Sequence, residues 1–306
     1  MSESHAPRAR IAIALAVIYL VWGSSYLATK IMVTDEPPLV AAGLRFSAAG
    51  IILMAFAWWR SGPPMLHGAE LRHVIAMGLL SVLFSNACNV IAMQYVQSNT
   101  SALLNTTPTL WIAWLGTFGR RRSHLSSASR AGLLVGFAGV MLVLTPKSGF
   151  HFAGLGWQLL ILLGCLCWSL GTIYYRNSSA ANSPVMFTGM QMLVGGLGLL
   201  ALAWVTEGSF AIHWTPRGLA AFAWLTLMSS CLAYTAYAWL TMHTTPVVVG
   251  SYGYVNPVIA ALLGWLLLNE TLSWVQIVGM LVILLGTALV TGYLRPLPRI
   301  PGARRA

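Results

Sequence analysis

Charge is scarce in this sequence. Asp, Glu, Lys and Arg make up 8% of its 306 residues, against about a quarter in a typical water-soluble domain. Six are carboxylates, Glu3, Asp35, Glu36, Glu70, Glu207 and Glu270, and two are lysines, Lys30 and Lys147. Neither lysine follows a Gly-x-x-x-x-Gly frame, so the chain is not a phosphate-loop ATPase. His-Glu-x-x-His, the pair a zinc hydrolase needs, is absent, and so are the clustered aspartates that would hold magnesium pyrophosphate. A serine protease of the membrane interior would need a buried histidine, and His73 and His243 stand alone near the ends of apolar runs. Cys88, Cys165, Cys167 and Cys231 all fall inside apolar runs, with neither a disulfide framework nor a metal cluster. No enzyme, metal or cofactor is expected.

Apolar residues take the place of charge, at 58%. Runs long enough to cross a bilayer, about 20 residues each, lie near 11–33, 38–59, 72–95, 99–119, 129–146, 156–177, 184–205, 217–241, 246–268 and 273–294. The connections between them leave no room for a soluble catalytic or nucleic-acid-binding domain. The opening run follows Arg8 and Arg10 but continues through Trp22 and Tyr26 without a small-residue cleavage site, so it reads as a first helix rather than a signal peptide. The net charge of +11 reads as topology. With the N-terminus inside, 13 basic residues fall in cytoplasmic segments and three (Lys30, Lys147 and Arg217) outside, while Arg45 is left within a span. This asymmetry obeys the positive-inside rule and requires an even number of spans. The expectation is an all-α polytopic membrane protein of ten transmembrane helices with both termini cytoplasmic.

The chain also repeats itself. Asn105-Thr106-Thr107-Pro108, Leu125-Ser126, Gly132 and Gly139 return as Tyr254-Val255-Asn256-Pro257, Leu272-Ser273, Gly279 and Gly286, with the prolines 149 residues apart and the later pairs 147. Trp22, Lys30 and Pro38 return 146 residues later as Trp168, Arg176 and Pro184. Two five-helix halves, 1–146 and 147–295, followed by a basic tail 296–306, are expected. Five is odd, so the second half enters the membrane upside down, the plan of many secondary transporters.

The stretch Gly264-Trp265-Leu266-Leu267-Leu268-Asn269-Glu270-Thr271-Leu272-Ser273, with Gln276, Gly279 and Gly286, resembles the repeat ending of the drug/metabolite transporter superfamily, EamA type. Trp22-Gly23-Ser24-Ser25-Tyr26 and Leu44-Arg45-Phe46 are similar to its first- and second-helix signatures. The resemblance covers about residues 10–292. It implies a multi-pass protein of the cell inner membrane that transports small solutes, most similar to bacterial exporters of amino acids, aromatic ones included. The first half departs from the pattern, with Arg120-Arg121-Arg122 where the second has Glu270.

Helical spacing proposes a site. Pro108 and Pro257 lie about ten residues into their spans, near mid-membrane, and each frees a backbone carbonyl four residues earlier, at Leu104 and Gly253. Helix breaks there, flanked by Asn105, Thr107, Tyr254 and Asn256, are expected to line a central wet cavity. Ser81, Phe84, Ser85, Cys88, Asn89 and Ala92 share one face of the third span. Tyr19, Trp22, Tyr26 and Thr29 share one of the first, Cys165, Trp168, Thr172 and Tyr175 one of the sixth, and Ser230, Tyr234, Tyr237 and Thr241 one of the eighth. Each Ser or Thr taken singly is as well explained by a helix–helix contact. Together the stripes suggest an aromatic-walled pocket for a small zwitterion or amphiphilic metabolite.

Arg45 is placed to bind a substrate carboxylate, to cap a helix end or to snorkel outward. An organic-cation or multidrug exporter is the alternative, weakened by the lack of buried acids. Trp58, Trp59, Trp204, Trp214 and Trp274 are expected as interfacial anchors. Gly132-x-x-x-Gly136 with Gly139, and Gly279 with Gly286, offer close-packing faces, either within a monomer or at a homodimer seam. The expected partners are the solute and the bilayer, with no nucleic acid.

Overall fold

The computed structural model describes residues 8–62, 68–118, 125–144, 152–176, 184–208, 210–244, 248–249 and 251–291. The Arg120–Arg122 hairpin, Lys147 and the tail 296–306 lie outside the described residues, as do the side chains of Tyr175, Arg176 and Thr241. Every described element is a helix. In chain order they are α1 (Arg8–Asp35), α2 (Pro38–Ser61), α3 (Gly68–Met77), α4 (Ser85–Met93), α5 (Ser98–Leu104), α6 (Pro108–Leu115), α7 (Ser127–Val143), α8 (Phe152–Arg176), α9 (Pro184–Thr206), α10 (Pro216–Ala223), α11 (Tyr234–His243), α12 (Tyr252–Leu268) and α13 (Trp274–Thr291). Six helical stretches among the described residues are long and apolar enough to cross a membrane, and α7, α12 and α13 are shorter apolar helices.

Two stretches are wound as π-helix. Gly78–Phe84 joins α3 to α4, and Trp224–Ala233 joins α10 to α11. They begin 146 residues apart, at equivalent points of the two repeats. Each π turn admits an extra residue, so the helix beyond it presents a different face from the one a uniform α-helix would present.

The repeated sequence blocks have physical roles. Ser126 caps α7 by accepting from the Ser129 backbone N–H at 3.1 Å. Its counterpart Ser273 accepts from Gln276 N–H at 3.2 Å while the Gln276 side chain accepts from Ser273 N–H at 3.0 Å, a reciprocal capping box for α13. The glycines of the same blocks form an intramolecular seam. A Cβ on Gly286 would stand 2.4 Å from Gly136 Cα, one on Gly132 would stand 2.7 Å from Gly286 O, and one on Gly139 would stand 2.9 Å from Gly279 O. A second seam joins α2 to α9, where a Cβ on Gly50 would lie 2.7 Å from Gly189 O and one on Gly196 2.5 Å from Ser47 N. Helix backbones approach this closely only where side chains are missing.

Carboxylates tie the helix ends at one face. Glu207 accepts from the N–H groups of Leu39 and Val40 at the start of α2, at 2.9 and 3.2 Å. Glu36 accepts from Thr215 N–H before α10 at 3.1 Å, and Asp35 from the Thr215 hydroxyl at 2.9 Å. Negative charge is favoured at a helix start, where backbone donors are unpaired.

Among the tryptophans, Trp58, Trp59, Trp204 and Trp274 project outward at 61–84% exposure. Trp214 differs from expectation. It packs against Phe222, ring centroids 4.8 Å apart, and against the core of α1, α2 and α9, because the Thr215 tether folds this segment inward.

Candidate functional site

A cavity of about 170 Å³ lies between the helices, with walls from both halves of the chain. From the first half come Trp22, Ser25, Tyr26 and Thr29 on α1, Arg45 and Phe46 on α2, Ser85, Asn86, Asn89, Val90 and Met93 on α4, and Asn105 and Pro108 around the α5–α6 break. From the second half come Trp168 on α8, Ser229 in the second π segment, Tyr234 on α11, and Tyr252 and Asn256 on α12.

Aromatic rings make one wall. Trp22 meets Tyr234, Tyr237 and Tyr252 with centroids 5.4, 5.3 and 5.1 Å apart, and its indole N–H donates to the Ser229 carbonyl at 3.3 Å. Trp168, the repeat counterpart of Trp22, meets the same Tyr234 ring at 6.3 Å. Edge-to-face geometry holds the rings through their quadrupoles as well as by area. Amides make the other wall. Asn105 Nδ2 donates to Asn89 Oδ1 at 2.8 Å and to the Ser101 carbonyl at 2.9 Å, while Asn89 Nδ2 donates to the Ser85 carbonyl at 2.9 Å. The Asn256 amide nitrogen, turned toward them, donates to the Tyr19 and Tyr252 carbonyls at 3.3 Å each.

Arg45 is 7% exposed and carries the sole formal charge in the lining. It neither snorkels outward nor caps a helix end. Its Nε donates to Ser230 Oγ at 3.1 Å and Nη2 to Ser229 Oγ at 3.4 Å, and the guanidinium carbon lies 4.5 Å from the centre of the Phe46 ring. Lys30, one residue beyond the lining residue Thr29, ties α1 to α4. Its Nζ donates to the carbonyls of Met93 and Gln94, at 2.5 and 3.0 Å, at the C-terminal end of α4, where cations are favoured.

Of the residues proposed from sequence, Trp22, Tyr26, Asn89, Asn105, Trp168, Tyr234, Asn256, Arg45 and Pro108 meet at this cavity. Phe84, Cys88, Thr107, Thr172, Tyr254 and Pro257 do not line it, and each misses for a physical reason. Phe84 points outward at 49% exposure. The lining face of α4, which runs through Asn86, Asn89, Val90 and Met93, is turned by about one residue, roughly 100°, from the stripe containing Ser81, Phe84 and Cys88, whose first two members lie in the π-wound Gly78–Phe84. That small-residue stripe packs on α8 instead. A Cβ on Gly164 would meet Cys88 Cβ at 3.1 Å, and one on Gly171 would overlap the Ser81 hydroxyl.

Thr107 is fully buried, and its hydroxyl donates at 2.7 Å to the Leu104 carbonyl that Pro108 frees. The Cys165 thiol reaches the same carbonyl at 3.5 Å. Thr172 bonds back to the Trp168 carbonyl at 2.9 Å. Tyr254 lies two residues past Tyr252 and so about 200° around α12 from it. Pro257 is not a helix break. α12 runs straight through it, and the interruption falls upstream at Ser251, whose N–H returns to the Val248 carbonyl at 3.3 Å. Pro257 removes one amide donor from inside α12 without interrupting the helix.

Sequence reading passed over Asn86, Val90, Met93, Phe46, Ser229 and Tyr252. The signal for Tyr252 was present, since it lies one turn before Asn256 on the same helical face. Asn86, Val90 and Met93 share a face of α4 with Asn89, next to the stripe that residue type picks out.

Comparison with known proteins agrees with this architecture. The EamA-like transporter family matches twice, over residues 9–145 and 155–292. The uncharacterized inner membrane transporter YedA of Escherichia coli K12 is 33% identical over 285 residues, covering 91% of this chain and 89% of that protein. The uncharacterized transporter YvbV of Bacillus subtilis is 26% identical over 93% of this chain and 92% of its own length. Protein PecM of Dickeya dadantii is 27% identical over 86% of each chain. One solved crystal structure shares the fold with a TM-score of 0.66 at 19% identity, covering 94% of this chain and 99% of the other. A cavity built jointly by two copies of one helical repeat therefore stands in a chain that belongs to the EamA-like transporter family of the drug/metabolite transporter superfamily.

Proposed function

We propose that this chain is a secondary carrier of the cell inner membrane that exports amino acids, aromatic ones included, or related amphiphilic metabolites by alternating access. The observation that carries the reading is the meeting of Trp22 and Trp168 on the single ring of Tyr234. Two residues at equivalent places in the repeats meet one ring of the cavity wall, so a change in either half reshapes the same solute site. Ten spans with cytoplasmic termini and inverted halves give the geometry such exchange needs. The two glycine seams support it, since α2 with α9 and α7 with α13 are counterpart pairs. They also consume the smooth faces within one chain, which favours a monomer as the working unit.

The cavity is small beside the roughly 300–1,000 Å³ of pockets for drug-sized ligands, and its lining holds no carboxylate to attract a cation. Both points weigh against a multidrug or organic-cation exporter. Without a carboxylate at the site, transport is facilitated or weakly coupled, driven by the solute's own gradient. The test is uptake of a labelled amino-acid panel into proteoliposomes, repeated with Trp168→Ala and Asn105→Ala. Uptake that falls at least tenfold in both variants is expected, and unchanged uptake in both removes this cavity as the transport site. Uphill accumulation driven by a pH gradient alone refutes uncoupled transport.

A further inference from the structure

We infer that the cavity selects its solute by a carboxylate held at Arg45 and does not require an amine, so that its substrate class extends to small carboxylic acids with an apolar body, such as 2-oxo acids. The inference rests on the cavity being the transport site.

Arg45 is buried, and it reaches hydroxyls and a ring face rather than an acid. A guanidinium has five N–H donors, and among the described residues two of them are engaged, by Ser229 and Ser230. The rest have no protein acceptor, in a lining without Asp or Glu. A cation buried without a counter-ion is costly, and the cost is recovered when an anion enters. A carboxylate suits the planar fork of Arg, which can bond both of its oxygens at once. Ser229, which lines the cavity, accepts from Arg45 through its oxygen and keeps its own proton to offer the same anion. Beside the guanidinium, Phe46, Trp22 and Tyr234 provide the apolar wall for the rest of the solute.

An amine finds a weaker reception. Only ring faces and neutral carbonyl or amide oxygens are available to it, and a cation–π contact is modest next to a charge-assisted fork. A site carrying one positive charge is neutralised by a monoanion but left positive by a zwitterion. Removing the amine from an amino acid therefore sacrifices little at this site. Removing its carboxylate forfeits the main contact and places a second cation beside Arg45.

The test uses the full chain in detergent and in proteoliposomes, with four compounds of one size: phenylalanine, phenylpyruvate, 3-phenylpropionate and phenethylamine. Binding is read from quenching of the cavity tryptophans and by competition against labelled phenylalanine, on the wild type, Arg45→Lys and Arg45→Gln. The two amine-free acids should bind the wild type at least as tightly as phenylalanine, and phenethylamine at least tenfold more weakly. Arg45→Gln should weaken all three carboxylates at least tenfold and tighten phenethylamine, which no longer meets a second cation, with Arg45→Lys in between for the carboxylates. Phenethylamine binding as tightly as the acids overturns the inference. So does phenylalanine binding that both amine-free acids fail to match. The wild-type panel decides this even if the Arg45 variants fail to fold. Amino-acid uptake without dependence on the carboxylate sinks the inference and spares the carrier reading. Tight binding of the acids with no amino-acid uptake does the reverse, and failure of all four compounds overturns both.

Discussion

Glu270 holds Ser98 across 172 residues of sequence, accepting its backbone N–H at 2.7 Å and its hydroxyl at 2.8 Å, and taking the Asn99 N–H at 3.0 Å besides. The carboxylate is 6% exposed. It is aimed by Asn269, which ends α12 in the left-handed conformation at φ 54°. The N–H groups of Asn269 and Glu270 both return to the Gly264 carbonyl, which turns the chain toward α5. One short connection thus closes a helix of the second half and caps one of the first.

Removing that carboxylate strands two buried N–H donors at the start of α5. Unpaired buried donors cost about 1–3 kcal/mol each, so Glu270→Ala should lower stability by about 3 kcal/mol. Glu270→Gln keeps one acceptor and should lose about half as much. Thermal and denaturant unfolding in detergent measures both. A Glu270→Ala protein as stable as the wild type would show that the cap contributes nothing.

The glycine seams make a sharper structural prediction. A methyl group at Gly286 runs into the Gly136 backbone, which has no side chain to swing aside. Overpacking of this kind costs about 1–3 kcal/mol, so Gly286→Ala should destabilise by about 2 kcal/mol and Gly286→Val by more. Gly154 on α8 meets nothing within 4 Å, and Gly154→Ala should stay within about 0.5 kcal/mol of the wild type. Equal melting of the Gly286→Ala and Gly154→Ala proteins would contradict the seam.

The spans and the two-fold repetition were readable in sequence because both leave a record in residue type: apolar runs for the bilayer, and Leu-Ser before a helix because the serine caps it. The α7–α13 seam was readable as glycine spacing, though nothing in that spacing said which helices would meet, and the α2–α9 seam at Gly50, Gly189 and Gly196 was not read. The π segments were not readable. Gly78–Phe84 and Trp224–Ala233 are apolar and small like any packed span, and the extra residue per turn is fixed by their neighbours, Asn86 among them, whose amide donates to the Ser81 and Val82 carbonyls at 3.2 and 3.0 Å. Within α4 the stripe of Ser85, Cys88 and Asn89 borders the lining face of Asn86, Asn89 and Met93, and residue type alone did not say which side of Asn89 faces the cavity. Tyr234, just beyond the second π segment, lines the cavity although its stripe begins at Ser230 inside that segment.

The break at Pro108 separates two roles that sequence had merged. Asn105 faces the cavity and bonds Asn89, whereas Thr107 serves the carbonyl that the proline frees. Thr107→Val should cost about 1 kcal/mol of stability, the loss of one hydrogen bond to a carbonyl that keeps the Thr107 N–H at 3.1 Å, and leave transport per folded molecule within about twofold of the wild type. Asn105→Ala should do the opposite, with near-normal melting and transport reduced at least tenfold. The pair is scored by unfolding and by initial uptake rate on matched amounts of folded protein. A Thr107→Val protein that melts normally and fails to transport would return Thr107 to the solute site.

Lys30 holds α1 to the end of α4, its ammonium donating to the backbone carbonyls of the cavity residue Met93 and of Gln94 beside it. Lys30→Met keeps the length and apolar stem of the side chain and removes all three donors. The face that carries Asp35, Glu207 and Glu270 should then open more often. The readout is a single cysteine at Thr29, introduced after the four native cysteines are replaced, and its rate of reaction with a membrane-impermeant thiol reagent added from that side. An increase of about tenfold is expected in Lys30→Met, since losing charge-assisted bonds worth about 1.4 kcal/mol shifts an opening equilibrium by that factor. Labelling from the opposite side should slow in parallel, because a carrier that opens more on one face spends less time open on the other. Faster labelling from both sides at once would mean that Lys30 holds the bundle together and has no part in gating.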